Sequence, residues 1–232
     1  MRNLLILSLL LAPTRGRLRT LLLLLLVCFA PTLGVGCAGQ SSILSIKPSI
    51  GPIPDFSINA QKELADKYDN QESVWHIIYP NDCSWYCGGG PYKVEASSVH
   101  LTTLNSDNAH DLSFKTAWVG DKGIGDYLTY YFKNKSPRLN EINIYNGYLA
   151  NDKSWKNYSR AKRIRLYVNG ISFRVLDLED TKAIQSFKVP LLGRRTDGED
   201  LILKFEVTEI YRGDEYKNVA LTEIYFNGVD VH

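Results

Sequence analysis

From Val74 to the C-terminus the chain alternates apolar and polar residues in runs of four to eight, separated by Gly, Asn, Asp and Ser. A period of two is that of a strand with one face buried. In KRIRLYVNG, Ile164, Leu166 and Val168 fall on one side, and Arg163, Arg165 and Tyr167 on the other. Asn169-Gly170 then predicts a tight hairpin turn into ISFRVLDL. The same alternation sets Leu201, Leu203, Phe205 and Val207 opposite Ile202, Lys204 and Glu206. It sets Ile142 and Ile144 opposite Glu141 and Asn143, and gives Leu128, Tyr130 and Phe132 a shared face. NVALTEIYF reads as the last strand. About eight such segments at short spacing, with no amphipathic helix among them, predict an all-β domain, a two-sheet sandwich or jelly roll.

The texture differs before Val74. Residues 57–72 (SINAQKELADKYDNQE) place Ala60, Leu64 and Tyr68 on one helical face, which predicts a short helix. Residues 38–56 are rich in Ser, Pro and Gly, and Pro48, Pro52 and Pro54 disfavour a helix or a central strand, so the segment reads as a tether. Further upstream, Arg15, Arg17 and Arg19 precede the apolar run LLLLLLVCFA at 21–30, and small residues follow. That order is a secretory signal, and the apolar run is short for a transmembrane span. A second apolar run at 4–12 leaves a hairpin-like anchor as the alternative. Leu33-Gly34-Val35-Gly36-Cys37 resembles a bacterial lipoprotein cleavage box, with Leu one position farther from the Cys than usual. Cys37 is therefore the expected lipidation site, with ordinary signal-peptidase cleavage nearby as the other reading. The organisation expected is a lipoprotein-type signal peptide over 1–36, a tether with a short helix over 37–73, and a β-sandwich domain over 74–232. The chain is expected in the bacterial cell envelope, lipid-anchored or secreted, touching membrane only through its N-terminal lipid.

The formal net charge of +2 is an effect of the leader, which holds four arginines and no acid; beyond it stand 23 basic residues against 25 acidic. The body of the chain therefore has little electrostatic reason to bind nucleic acid. Tyr occurs 14 times and Met once, a bias that suits strands and binding faces. Cys83 and Cys87, in NDCSWYCGGGP, read as a disulfide in an exported chain, with Gly88 to Pro91 turning the loop. Zinc is the competing reading and would need His76, His100 or His110.

Candidate chemistry concentrates in loops. Asp111 and Thr116 precede Trp118, which is placed to plug the end of the core. Their oxygens suit a hard cation, or else cap a turn through local backbone bonds. The order Asn108-Ala109-His110-Asp111, Thr116-Ala117-Trp118-Val119, Gly123-Ile124-Gly125-Asp126-Tyr127, Asn146-Gly147-Tyr148, Asn157-Tyr158-Ser159-Arg160 and Ala220-Leu221-Thr222-Glu223-Ile224 spans nearly all of the exported body. It resembles the discoidin or coagulation-factor C-type domains, a group of galactose-binding-like β-sandwiches. The narrower resemblance is to the variant found as the translocation domain of bacterial NAD glycohydrolase toxins, which also occurs alone in bacterial lipoproteins. The resemblance implies an eight-stranded jelly roll and a structural calcium held by loop carbonyls, Asp111, Thr116 and Glu223. The usual Gly after the Asp is Leu112 here, which changes the expected turn.

The resemblance also implies recognition, often of glycans, by loops at one end of the sandwich. Two loops have suitable chemistry: Trp85 and Tyr86 between the two cysteines, and Tyr148 to Tyr158 with Trp155. Aromatic rings can stack on the C–H faces of sugars. Asp152, Asn157 and Arg160 complete the ligand-binding set as hydrogen-bonding groups, with bracing of its own loop as the second reading for Arg160. The alternative for Trp85 and Trp155 is packing beneath their own loops. No nucleophile elbow, zinc-protease helix or phosphate loop occurs, and Gly123-Ile124-Gly125 leads into a strand rather than a helix. The chain reads as a non-catalytic binding module for a glycan, alternatively as a protein-interaction or structural module in an envelope assembly, with an enzyme of unrecognised type as the third reading.

Overall fold

The computed structural model describes residues 43–54 and 85–230, the side chain of Cys87 excepted. Eleven strands run in chain order: β1 (Ser45–Ile46), β2 (Ser49–Ile50), β3 (Lys93–Ala96), β4 (Trp118–Val119), β5 (Tyr127–Phe132), β6 (Leu139–Asn146), β7 (Ser159–Val168), β8 (Ile171–Asp177), β9 (Gln185–Leu192), β10 (Leu201–Tyr211) and β11 (Val219–Gly228). Eight have four residues or more, and β1, β2 and β4 are two-residue pairings. One six-residue helix, α1 (Asp152–Asn157), stands between β6 and β7.

The strands form two layers. One runs β2-β9-β6-β11, with β4 paired to the start of β11; the other runs β1-β8-β7-β10-β5-β3. A short parallel pairing of Val219 and Ala220 with Ser159 and Arg160 joins them, so the hydrogen-bonded sheet is continuous. The core lies between. Ile142, Ile144, Phe187, Ile224 and Phe226 face it from the first layer; Leu128, Tyr130, Ile164, Leu166, Leu203 and Phe205 face it from the second. Phe226 meets Tyr130 edge-on at 5.2 Å and Phe132 at 4.9 Å, which locks the layers by ring contacts. The turn between β7 and β8 holds Asn169 and Gly170 at φ 49° and 81°, the left-handed pair that a two-residue hairpin needs.

Two expectations change. Over its described part the tether does not stand off the domain. Ser45 and Ile46 pair in parallel with Val175 and Leu176 at the edge of one layer. Ser49 and Ile50 pair antiparallel with Ser186 and Gln185 at the edge of the other. Proline is tolerated because each pairing is two residues long and lies on an edge, with Pro48 between them. The loop expected from Tyr148 to Tyr158 contains a short helix, α1, and gives way to β7 at Ser159. The helix expected over 57–72, the leader with Cys37, and Cys83 lie outside the described residues.

Candidate functional site

The layers meet where β6 ends and β7 and β11 begin, and the connection from β6 to β7 is folded onto that junction. Asn146 bridges the strands: its side chain donates to the Ala161 carbonyl at 2.7 Å and accepts from the Ala161 amide at 2.9 Å. Gly147 follows at φ 83°, where a Cβ would lie 2.8 Å from both Trp155 and Arg160. Only glycine suits that backbone and that clearance. Thr222 on β11 donates to the Gly147 carbonyl and accepts from the Leu149 amide. Asn151 then caps α1 in a reciprocal arrangement with Ser154.

Arg160 is a brace. It is 7% exposed. It forks onto Asp180 at 2.6 and 3.1 Å and donates to the carbonyls of Trp155 and Tyr158. Its guanidinium stacks 4.4 Å from the centre of the Trp155 ring, and the Lys182 ammonium sits at 5.5 Å. Trp155 donates through its indole N–H to the Asn146 carbonyl. Its ring therefore holds the loop down, as the packing alternative required. Asp152 is exposed and ion-paired to Lys182, which holds its carboxyl below the usual range.

The other residues of this loop do converge. Tyr158 lies between Tyr148, 5.7 Å away, and Tyr216, 4.7 Å away. A cleft of about 240 Å³ opens beside them, lined by Asn151, Lys153, Ser154, Asn157, Tyr158 and Tyr216. Glu215 fixes two of these groups, accepting from the Asn157 amide at 2.6 Å and the Tyr216 hydroxyl at 2.7 Å. That bond raises the Tyr216 pKa, and burial raises that of Tyr148. Tyr216 comes from the connection between β10 and β11, and nothing in its local sequence marks it. The signal is Gly213, whose missing Cβ lets that connection lie against the Asn157 and Tyr158 backbone.

The Trp85-Tyr86 loop does not present its rings to a ligand, which corrects the expectation for both. Trp85 is 2% exposed, tilted against Phe132, and donates to the Arg138 carbonyl at 3.1 Å. Tyr86 accepts from the Phe226 amide at 2.9 Å and packs on His110 and on the cluster of Tyr145, Leu149 and Tyr225. These rings complete apolar clusters, the outcome burial favours for an aromatic that finds a hydrogen-bond partner.

A second constellation lies under the loop before β4. Asp111 accepts from the Thr116 hydroxyl at 2.7 Å and the Ser113 amide at 2.9 Å. The Ser113 amide also donates to Glu223, which is fully buried on β11. Leu112 takes φ 61°, so the turn that glycine would make is made by leucine, whose side chain packs into the Tyr145 cluster. Burial drives the Glu223 carboxyl well above the usual range, and the adjacent Asp111 carboxylate adds to it. Its second oxygen, Oε2, is buried and has no partner among the described residues. Asp111, Glu223 and the Thr116 hydroxyl bring together hard oxygen donors, the chemistry that calcium takes. Among the described residues no group of three or more His, Cys, Asp and Glu side chains gathers.

The family model described as the NAD glycohydrolase translocation F5/8 type C domain matches residues 85–227. No curated protein matches the chain. Among solved structures, the chain is similar to the paired CBM32-1 and CBM32-2 domains of Clostridium perfringens ZmpB. The identity there is 16% and the TM-score 0.48, over 82% of this chain and 43% of that one. It is also similar to the family 32 CBM of C. perfringens NanJ in complex with galactose, at 12% identity and a TM-score of 0.43, over 60% and 97% of the two chains. CpGH89CBM32-5 of the same organism, in complex with GalNAc-β-1,3-galactose, is 16% identical with a TM-score of 0.43, over 58% and 94%. The chain thus spans less than half the length of the first of these structures.

Proposed function

Because the chain belongs to the family of NAD glycohydrolase translocation F5/8 type C domains, we propose that it is a non-catalytic binding module that recognises a glycan at the cleft beside α1. One observation carries this reading: Tyr158 and Tyr216 line a cleft whose remaining walls are amides, a hydroxyl and Lys153, and Tyr148 packs against Tyr158. Tyrosine rings offer sugars a stacking face, and asparagine amides pair with hydroxyls in both donor and acceptor senses. No acid–base pair lines the cleft. Asp111, Thr116 and Glu223 would hold a structural calcium ion, whose charge would satisfy the buried Glu223 oxygen and tie the loop before β4 to β11.

The test is a glycan array probed with the purified full-length chain, with calcium and with chelator. Binding to a defined set of glycans, weakened about tenfold in Tyr158→Ala or Tyr216→Ala without a large fall in Tm, supports the reading. Absence of binding in both conditions, from a folded sample, transfers the role to an envelope-protein partner. The leader pattern and Cys37 support export and lipid attachment in a bacterial envelope. Metabolic labelling with a fatty-acid probe is expected to mark the chain, and Cys37→Ser to abolish the label.

A further inference from the structure

The outer face of the second layer carries a groove of about 480 Å³ that shares no lining residue with the cleft beside α1. Strand register places its parts. Glu95 on β3, Thr129 on β5, Lys204 on β10 and Tyr167 on β7 form one row across four strands. Tyr127 and Tyr131 stand on either side of Thr129 along β5, so they are about 13 Å apart along the strand. Thr129 lies at the bottom of the groove, 7% exposed.

The rings are held in place. The Tyr131 hydroxyl donates to Glu95 at 2.6 Å, and the Tyr167 hydroxyl to Glu206 at 2.6 Å. Each carboxylate also faces a lysine: Lys93 lies 2.5 Å from Glu95, and Lys204 3.8 Å from Glu206. Lys204 rests between two rings, 4.0 Å from the centre of Tyr167 and 5.0 Å from that of Tyr127. The charges of Lys93, Glu95, Lys204 and Glu206 are thus spent on one another. The hydroxyls of Tyr127 and Thr129 make no hydrogen bond to the described residues. A charged ligand would have to break these ion pairs before it gained anything. An uncharged, polyhydroxylated one would meet oriented rings and open hydroxyls. Four strands span about 14 Å, longer than a single terminal sugar.

We propose that this sheet face is a second binding surface, which takes an internal stretch of a neutral polysaccharide chain. The surface does not depend on the cleft beside α1 or on the reading of that cleft. Affinity electrophoresis of the full-length chain tests it, in native gels containing hydroxyethylcellulose, galactomannan, mixed-linkage β-glucan or dextran, with polygalacturonate as the charged comparison. Retardation by at least one neutral polymer is expected, lowered about tenfold in Tyr131→Ala and severalfold in Tyr127→Phe and Thr129→Val. Tyr127→Phe removes a hydroxyl and Thr129→Val exchanges one for a methyl of similar size, so a folding defect in Tyr131→Ala leaves the test intact. Retardation by polygalacturonate alone, by no polymer, or undiminished in all three variants overturns the proposal. So does loss of retardation in Tyr158→Ala alone, which assigns polymer binding to the cleft beside α1.

Discussion

At the scale of single residues, the molecule depends on a few positions where chemistry and backbone conflict. Gly147 is the clearest. An added Cβ meets a positive φ and two side chains that are themselves pinned, Trp155 by Arg160 and Arg160 by Asp180. Neither can retreat, so Gly147→Ala is expected to cost about 3 kcal/mol in urea unfolding. Glu223 is a second such position. Its folded-state pKa stands above its usual value of 4.5, so the folded protein holds a proton that the unfolded chain gives up. With chelator present, this group's stability contribution is fully present below that value and declines as pH rises toward the raised one. Melting of chelated protein from pH 5 to 8 should show that decline, and Glu223→Gln should remove it. Calcium would replace the proton, so its stabilisation should grow with pH and reach about 2.7 kcal/mol at a hundredfold excess over Kd. A calcium response that survives Glu223→Gln would place the ion elsewhere.

At the scale of elements, strands were legible and ligand loops were not, for reasons that lie in the residues. Strand faces are written every second residue, and the predicted sides of β5, β6, β7 and β10 are the buried ones. β9 escaped notice because Pro190 interrupts it. Proline is tolerated there because β2 pairs only with Gln185 and Ser186, which leaves that edge of β9 open further along. In the loops, an aromatic residue looks the same whether it packs or projects. Trp85 was decided by a partner far away in sequence, Arg138, and Trp155 by the way its own loop folds it onto Asn146 and Arg160. Tyr216 entered the cleft through a neighbour's missing side chain. The β7–β8 hairpin is the most local element and the easiest to probe. Asn169 holds the turn and also exchanges hydrogen bonds with the backbone at Asp200, just before β10, and at Ile202 within it. Asn169→Ala should therefore cost about 2 kcal/mol in chemical denaturation, more than a free-standing turn would lose.

At the scale of the whole molecule, one feature has a mechanical meaning. The segment over 43–54 crosses from the edge of one layer to the edge of the other and is held by two residue pairs at each. The main layers are held by long ladders and ring contacts, so resistance to load is unevenly distributed. A pull at the N-terminal end reaches the short pairings at β1 and β2 first, and they should yield while the sandwich is still intact. In a single-molecule stretching experiment this would register as an early, low-force step before the main rupture, to which the segment over 43–54 alone would contribute roughly 40 Å of extension. Pulled in this way, the domain would carry its own slack, and a ligand held at the cleft beside α1 would feel a sudden load only after that length had been paid out.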